Sequence, residues 1–319
     1  MTTLLARFQG AFMGLAIGDA LGMPAKFLSR EQIKEYYGGE IRTYRRAHRG
    51  HSSSHLDPGC YTDETQLNRI VAESLVQCGR LEPFHVAERL VEWFHSEDCR
   101  GPGPTVSAAL KHLAAGVPWN KSGVHAAGCG AGIRALPIAL LYHRDEEELR
   151  ENTKLCSLIT HNDSKAIAGA VAVAYLIARL LHTEELSVSG LIRGTAHSIE
   201  ELDGELAAQL RWVLSLLPLP TEEALAEIGT SGYILETLPA AAYCFIKTPT
   251  DFSASVLSAV NAGEDADSVA CLAGAFSGAY NGVGRIPPDW ITQLEDRDWL
   301  MNLASSLCAL STNQIRPAM

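Results

Sequence analysis

The sequence predicts an all-α protein, and three observations predict it: helical periodicity of apolar residues along almost the whole chain, an aliphatic composition, and two glycine stripes at helical spacing. Of 319 residues, 47% are hydrophobic but only 7% aromatic, which suits closely packed helices better than packed sheets. Strand-like alternation is scarce. No fixed-period repeat and no low-complexity linker divides the chain, so a single domain over residues 1–319 is expected.

Taken in order, the periodicity places helices at 3–17, 31–37, 66–78, 83–95, 105–115, 131–142 and 146–159. Further helices follow at 164–182, 186–198, 204–215, 221–228, 234–246, 251–260, 268–281 and 297–310. Gly10, Gly14 and Gly18 share one face of the first, and Gly274, Gly278 and Gly282 share one face of that at 268–281. Glycine inside a helix costs about 1 kcal/mol against alanine, so such stripes are expected where another backbone comes close. If the two helices pack antiparallel, Asp19 comes near Asp265 and Asp267. Packing of each stripe against an unrelated neighbour is equally compatible with the sequence.

Twenty-six basic against 37 acidic residues give a net charge of −11, which disfavours an extended face for a nucleic-acid duplex. The eight cysteines show no C-x-x-C pair and no zinc-type spacing, as expected of a reduced, cytoplasmic chain. The longest apolar stretch, Ala166 to Leu181, carries Arg179 and falls short of the ~20 residues that span a bilayer. Arg7 and Asp19 interrupt the apolar N-terminus, and no membrane partner is expected. The segment from Arg42 to His55 holds four arginines and three histidines in a Gly/Ser-rich setting. It reads as a basic surface loop, or as a mobile flap over about 38–60 that leads toward Asp63.

Two acidic clusters stand where loops turn into helices: Thr62-Asp63-Glu64-Thr65 and Glu264-Asp265-Ala266-Asp267-Ser268. Helix capping accounts for either one alone. Capping needs one oxygen, however, and each cluster sets a hydroxyl beside paired carboxylates, the donors that hard divalent cations prefer. Gly101-Pro102-Gly103-Pro104-Thr105 and Gly128-Cys129-Gly130-Ala131-Gly132 each precede a helix and could offer free N–H groups to an anion, although turn chemistry also explains them. His161 opens Asn162-Asp163-Ser164, which has the form of a helix cap.

These pieces, in this order, resemble the ADP-ribosylglycohydrolase family. The resemblance rests on GAFMGLAIGDALGMP at 10–24, YTDET at 61–65, GPGPT at 101–105, GCGAGIRALPIAL at 128–140, ITH at 159–161 and NAGEDADSVACLAGAFSGAYNG at 261–282. It implies an orthogonal multi-helical fold with two divalent cations, Mg²⁺ or Mn²⁺, at the floor of an ADP-ribose cleft. The implied metal ligands are Thr62, Asp63, Glu64, Asp265, Asp267 and Ser268, with Asp63, Asp265 and Asp267 steering a water. The implied phosphate and ribose contacts are Gly103, Thr105, Gly128, Gly130 and His161.

The sequence departs from that pattern at several of these places. Glu64 stands for a usual aspartate, Ala266 and Ser268 for threonines, Glu264 for a glycine, Cys129 for an asparagine, and Lys26 for a glutamate. The first expectation is a hydrolase cleaving the C1″ glycosidic bond of an ADP-ribosylated residue, protein or small molecule. A binding protein in which Lys26 clamps phosphate, and a hydrolase of another ribosyl compound, are the alternatives.

Overall fold

A computed structural model describes residues 2–313. Its helices are α1 (Leu4–Gly22), α2 (Arg30–Tyr37), α3 (Asp63–Cys78), α4 (Pro83–Phe94), α5 (Pro104–Ala114) and α6 (Gly130–Ile133). They continue as α7 (Leu136–Tyr142), α8 (Glu146–Leu158), α9 (Ser164–Leu180), α10 (Val188–Ile199), α11 (Gly204–Val213) and α12 (Thr221–Ile228). The last are α13 (Ile234–Lys247), α14 (Phe252–Val260), α15 (Ala266–Asn281), α16 (Pro288–Gln293) and α17 (Arg297–Asn313). Among the described residues, β-structure is limited to two isolated bridges, Val124 with His161 and Gly128 with Tyr233. The expected all-α class is what is found.

The centre of the fold is the antiparallel pair α1 and α15, joined through the glycine stripes. A Cβ on Gly14 would lie 2.1 Å from the Gly274 carbonyl oxygen, one on Gly10 would lie 2.3 Å from that of Gly278, and one on Gly18 would lie 2.0 Å from that of Ala270. No side chain fits at such distances, so the two backbones touch. The register brings the end of α1 to the start of α15, with Gly22 against Asp267. Alanines and aliphatic residues of α9, α13 and α15 complete the core around this pair.

Several elements differ from the periodicity, and α3 and α15 begin early, at Asp63 and Ala266, so that the acidic clusters lie at their first turns. Residues 131–142 form two helices, because Pro137 lacks an N–H and its ring displaces the carbonyl four residues back, breaking the ladder near Arg134. The first helix runs on to Gly22, since its all-round burial erases the polar face that marks an end. The short α16 went unseen beneath its prolines. Leu4–Ala25 is long and apolar enough to cross a membrane, but 78% of that window is buried inside the protein. All eight cysteines are free thiols.

Candidate active site

The site begins with Asp19, which α1 delivers, fully buried, to the N-terminus of α3. Its Oδ1 accepts from the Thr62 hydroxyl at 2.8 Å, and its Oδ2 accepts from the N–H groups of Thr62 and Thr65, each at 3.0 Å, and from the Thr65 hydroxyl at 2.7 Å. A carboxylate from another helix thus fixes the first acidic cluster. Arg100 steadies the approach to it, donating to the Tyr61 carbonyl at 2.8 Å while pairing with Glu295 at 2.6 Å.

The second cluster opens α15. Asp265 occupies the N-cap position, yet its side chain makes no capping hydrogen bond. Capping therefore does not explain its carboxylate. The backbone N–H of Asp265 donates to the Thr230 carbonyl at 3.0 Å, and the adjoining Gly232 carbonyl accepts from Cys129 N–H at 3.0 Å. The short segment 230–234 thus ties the second cluster to the turn at 128–130. Likewise, Val124 N–H donates to the Thr160 carbonyl and Asn162 N–H to Val124, which sets His161 behind the same turn.

These constraints enclose one cleft of about 700 Å³, a size typical of small-molecule sites. Thr62, Asp63, Glu64, Asp265 and Asp267 stand on its lining together with Gly103, Thr105, Gly128, Gly130 and His161. Residues 202 positions apart, Asp63 and Asp265, share the cavity. Ser268 does not reach the lining; its hydroxyl donates to Glu64 Oε1 at 2.9 Å and so couples the two clusters from behind. Ser52, Ser53 and His55 of the basic loop form one edge.

Burial dominates the electrostatics. It pushes Asp63 up to about 8 and Asp267 up to about 7, with Lys26 opposing in both cases; Asp267 and Asp19 add to the rise at Asp63, as Asp265 and Asp19 do at Asp267. Glu64 is raised well above the carboxylate range by burial and then by Asp63. His161, buried and near Arg134, is lowered to about 3 and stays neutral at physiological pH. Its Nδ1 pairs with the Thr160 hydroxyl at 2.8 Å, a hydroxyl that also accepts from Arg134 at 2.7 Å. Burial, followed by Asp265 and Glu64, holds Cys129 as a thiol.

Lys26 is the cation set among the carboxylates: its Nζ lies 2.8 Å from Asp267 Oδ2 and 3.3 Å from Asp265 Oδ1. The alternative reading makes Lys26 a phosphate clamp; here its ammonium is paired with two carboxylates. Two neighbouring carboxylates hold the ammonium against the acidic floor. Phe27, Arg100, Ser231 and Gly232 also line the cleft without having been foreseen. A serine–glycine turn before α13 was the available signal for the last two; nothing local marks Arg100.

The donor chemistry of Thr62, Asp63 and Glu64, oxygen throughout with two carboxyl groups, fits a hard divalent cation. Among the described residues, no three His, Cys, Asp or Glu side chains already stand at the spacing of a metal shell. Lys26 gives a physical reason on one side, since it draws the oxygens of Asp265 and Asp267 to itself.

The class this defines is an all-helical protein with a cleft floored by carboxylates and walled by glycine turns. The chain belongs to the ADP-ribosylglycohydrolase family, whose pattern matches residues 1–316. It is 36% identical over 304 residues to an uncharacterised protein of Archaeoglobus fulgidus, covering 95% of this chain and 96% of that one. It is 29% identical to an ADP-ribosylarginine hydrolase of Serratia proteamaculans, covering 95% of this chain and 79% of the relative. A solved ADP-ribosylglycohydrolase-related protein complex superposes with a TM-score of 0.79 at 28% identity, over 98% of this chain and all of that one. The family supports hydrolysis of ADP-ribosyl linkages as the general activity.

Proposed function

We propose that this protein hydrolyses the glycosidic bond at C1″ of an ADP-ribosylated residue or ADP-ribosyl compound, assisted by divalent cation, Mg²⁺ or Mn²⁺. The observation that carries the reading is the meeting of both acidic clusters on the floor of one cleft whose walls are Gly103, Thr105, Gly128, Gly130 and His161. The diphosphate would lie against the start of α5, where free N–H groups and the helix dipole favour negative charge. Neutral His161 and the bare backbone at Gly128 and Gly130 would take the ribose, because a Cβ at either glycine would come within 3.5 Å of the imidazole.

A cation held by Thr62, Asp63 and Glu64 would supply Lewis acidity and lower the pKa of a nearby water. The protein's own residues do the rest. Asp63, on the cleft lining, accepts the proton of the attacking water as its oxygen bonds to C1″ and the bond to the leaving group breaks. The proton then passes to the departing nitrogen or oxygen. Asp265 and Asp267, fixed by Lys26, orient the ribose hydroxyls.

The test is a turnover screen of ADP-ribosyl-arginine, ADP-ribosyl-serine and free ribosyl compounds, with Mg²⁺ and Mn²⁺ each supplied and removed. Release of ADP-ribose from at least one, lost on chelation and in Asp267→Ala, is expected. Full activity in Asp267→Ala, or no turnover of any substrate, rejects the reading.

A further inference from the structure

The cleft is lined by five carboxylates, those of Asp63, Glu64, Glu264, Asp265 and Asp267, with Asp19 buried behind Thr62 and Thr65, and by one ammonium whose placement divides them. Within 4 Å, among the described residues, Lys26 Nζ meets only the carboxylates of Asp265 and Asp267. The remaining oxygens of that pair are also engaged. Asp267 Oδ1 accepts from Ser268 N–H at 2.9 Å, and Asp265 Oδ2 faces the Cys129 thiol at 3.5 Å. Every carboxylate oxygen of Asp265 and Asp267 therefore has a protein donor. The ammonium itself is four-fifths shielded and Asp267 is wholly buried.

The backbone around Lys26 is built to hold it there. Lys26 closes the short turn Met23–Ala25 that continues α1, and the next residue, Phe27, adopts a left-handed φ of 64°. Across from it Glu264, immediately before Asp265, adopts φ 57°. Phe27 N–H donates to the Glu264 carbonyl, and Glu264 N–H donates to the Leu28 carbonyl at 2.9 Å. Two non-glycine residues in a conformation that L side chains avoid persist only when their surroundings over-determine them. The clasp they form joins 26–28 to 263–265, so the ammonium and the carboxylates it neutralises sit on its two arms.

We infer that Lys26 is a protein-tethered cation that takes the place of one of two metal ions, so that the centre binds a single divalent cation on the Thr62–Asp63–Glu64 side. This deepens the cation-assisted hydrolase reading and rests on it. Charge bookkeeping agrees: Asp63 and Glu64 match one divalent ion, while Asp265 and Asp267 share the Lys26 ammonium and have a protein donor at each oxygen. A second divalent ion at Asp265 and Asp267 would have to displace the ammonium from both carboxylates.

The experiment measures Mn²⁺ stoichiometry by equilibrium dialysis with elemental analysis, and Mn²⁺ electron paramagnetic resonance, on the full chain and on Lys26→Gln and Lys26→Met. The wild-type protein should bind one Mn²⁺ per chain, with an uncoupled spectrum. The variants, confirmed folded by circular dichroism, should bind two and give an exchange-coupled spectrum, with a larger rise in Tm on adding Mn²⁺. Two ions in the wild-type protein overturn the inference whether or not the variants fold. A single ion in the folded variants also overturns it, while leaving a cation-assisted hydrolase intact. Absence of Mn²⁺ binding in wild-type protein and variants alike overturns it together with the cation dependence, and the substrate screen then judges hydrolysis separately.

Discussion

Asp19 Oδ2 accepts both the hydroxyl and the backbone N–H of Thr65, at 2.7 and 3.0 Å, so one carboxylate on α1 sets the orientation of α3. The arrangement is a helix cap supplied from a different helix. In Asp19→Ala the two N–H groups and two hydroxyls that it serves lose their acceptor in a buried place. We expect a loss of roughly 3 kcal/mol, read as a lower urea midpoint. Asp19→Asn, which keeps one carbonyl oxygen, should lose less. Equal stability of Asp19→Ala and wild type would show that Thr62 and Thr65 find other acceptors.

The contact of α1 with α15 predicts intolerance to the smallest possible side chain. Gly14→Ala places its methyl 2.1 Å from the Gly274 carbonyl oxygen, and backbone cannot give way as a flexible side chain does. The helices must separate, at a cost of about 2 kcal/mol or more, although alanine is the better helix former. Because the same separation moves Asp19 from Thr62, activity should fall with stability. Thermal unfolding and turnover of the Gly14→Ala and Gly274→Ala variants check this.

Gly128 makes a different prediction, since its φ is ordinary and a Cβ there would meet only His161 Nε2 at 3.5 Å and the Thr105 hydroxyl at 3.8 Å. Gly128→Leu should fold normally and fill the cleft. ADP-ribose affinity measured by calorimetry should fall at least about tenfold, or ~1.4 kcal/mol, with Tm little changed. Unchanged affinity would move the ligand away from this wall.

Buried His143 gives a pH prediction. Burial, then His182 and Arg144, lowers it to about 3, and its Nδ1 lies 2.6 Å from His182 Nε2. Between that value and the ordinary ~6.5 the unfolded chain binds a proton that the folded chain refuses, so this residue costs stability as pH falls through the window. Asp63 and Asp267, raised to about 8 and about 7, act in the opposite sense, because the folded chain binds their protons first and loses that stabilisation as pH rises. Comparison with His143→Gln isolates the histidine. From pH 7 to pH 5 the wild-type protein should lose about 2 kcal/mol relative to the variant. Parallel pH profiles of the two would mean that His143 is protonated in the folded state.

Asp267→Asn keeps the shape of the side chain and removes its charge. Lys26 would keep Asp265 as its partner, so the fold should survive. Hydrolysis should fall by roughly 10²–10⁴ through the loss of a charged group that orients the reacting sugar. Single-turnover kinetics with saturating substrate would detect the change; a rate within twofold of wild type would remove Asp267 from the reaction.

Much of this molecule was legible because its signals are local and periodic. The helices follow from apolar spacing, the α1–α15 contact from glycines that are costly unless a backbone lies opposite, and the cap of α9 from Asp163, which accepts from Lys165 N–H. The acidic clusters and glycine turns could likewise be named in advance, as hydroxyl, carboxylate and glycine at helix starts are chemically uncommon in combination. Pairing between distant segments carries no such local mark. That Asp19 caps α3, that segment 230–234 binds the turn at 128–130 to Asp265, and that Lys26 lies between Asp265 and Asp267 depend on distances fixed only when the chain is packed. The sequence by itself determined an all-helical protein of this family and offered the acidic clusters and glycine turns as its candidate site residues. Only the tertiary structure decided which oxygens remain free there, because hydrogen-bond donors from remote segments claim them after the backbone has closed around the site.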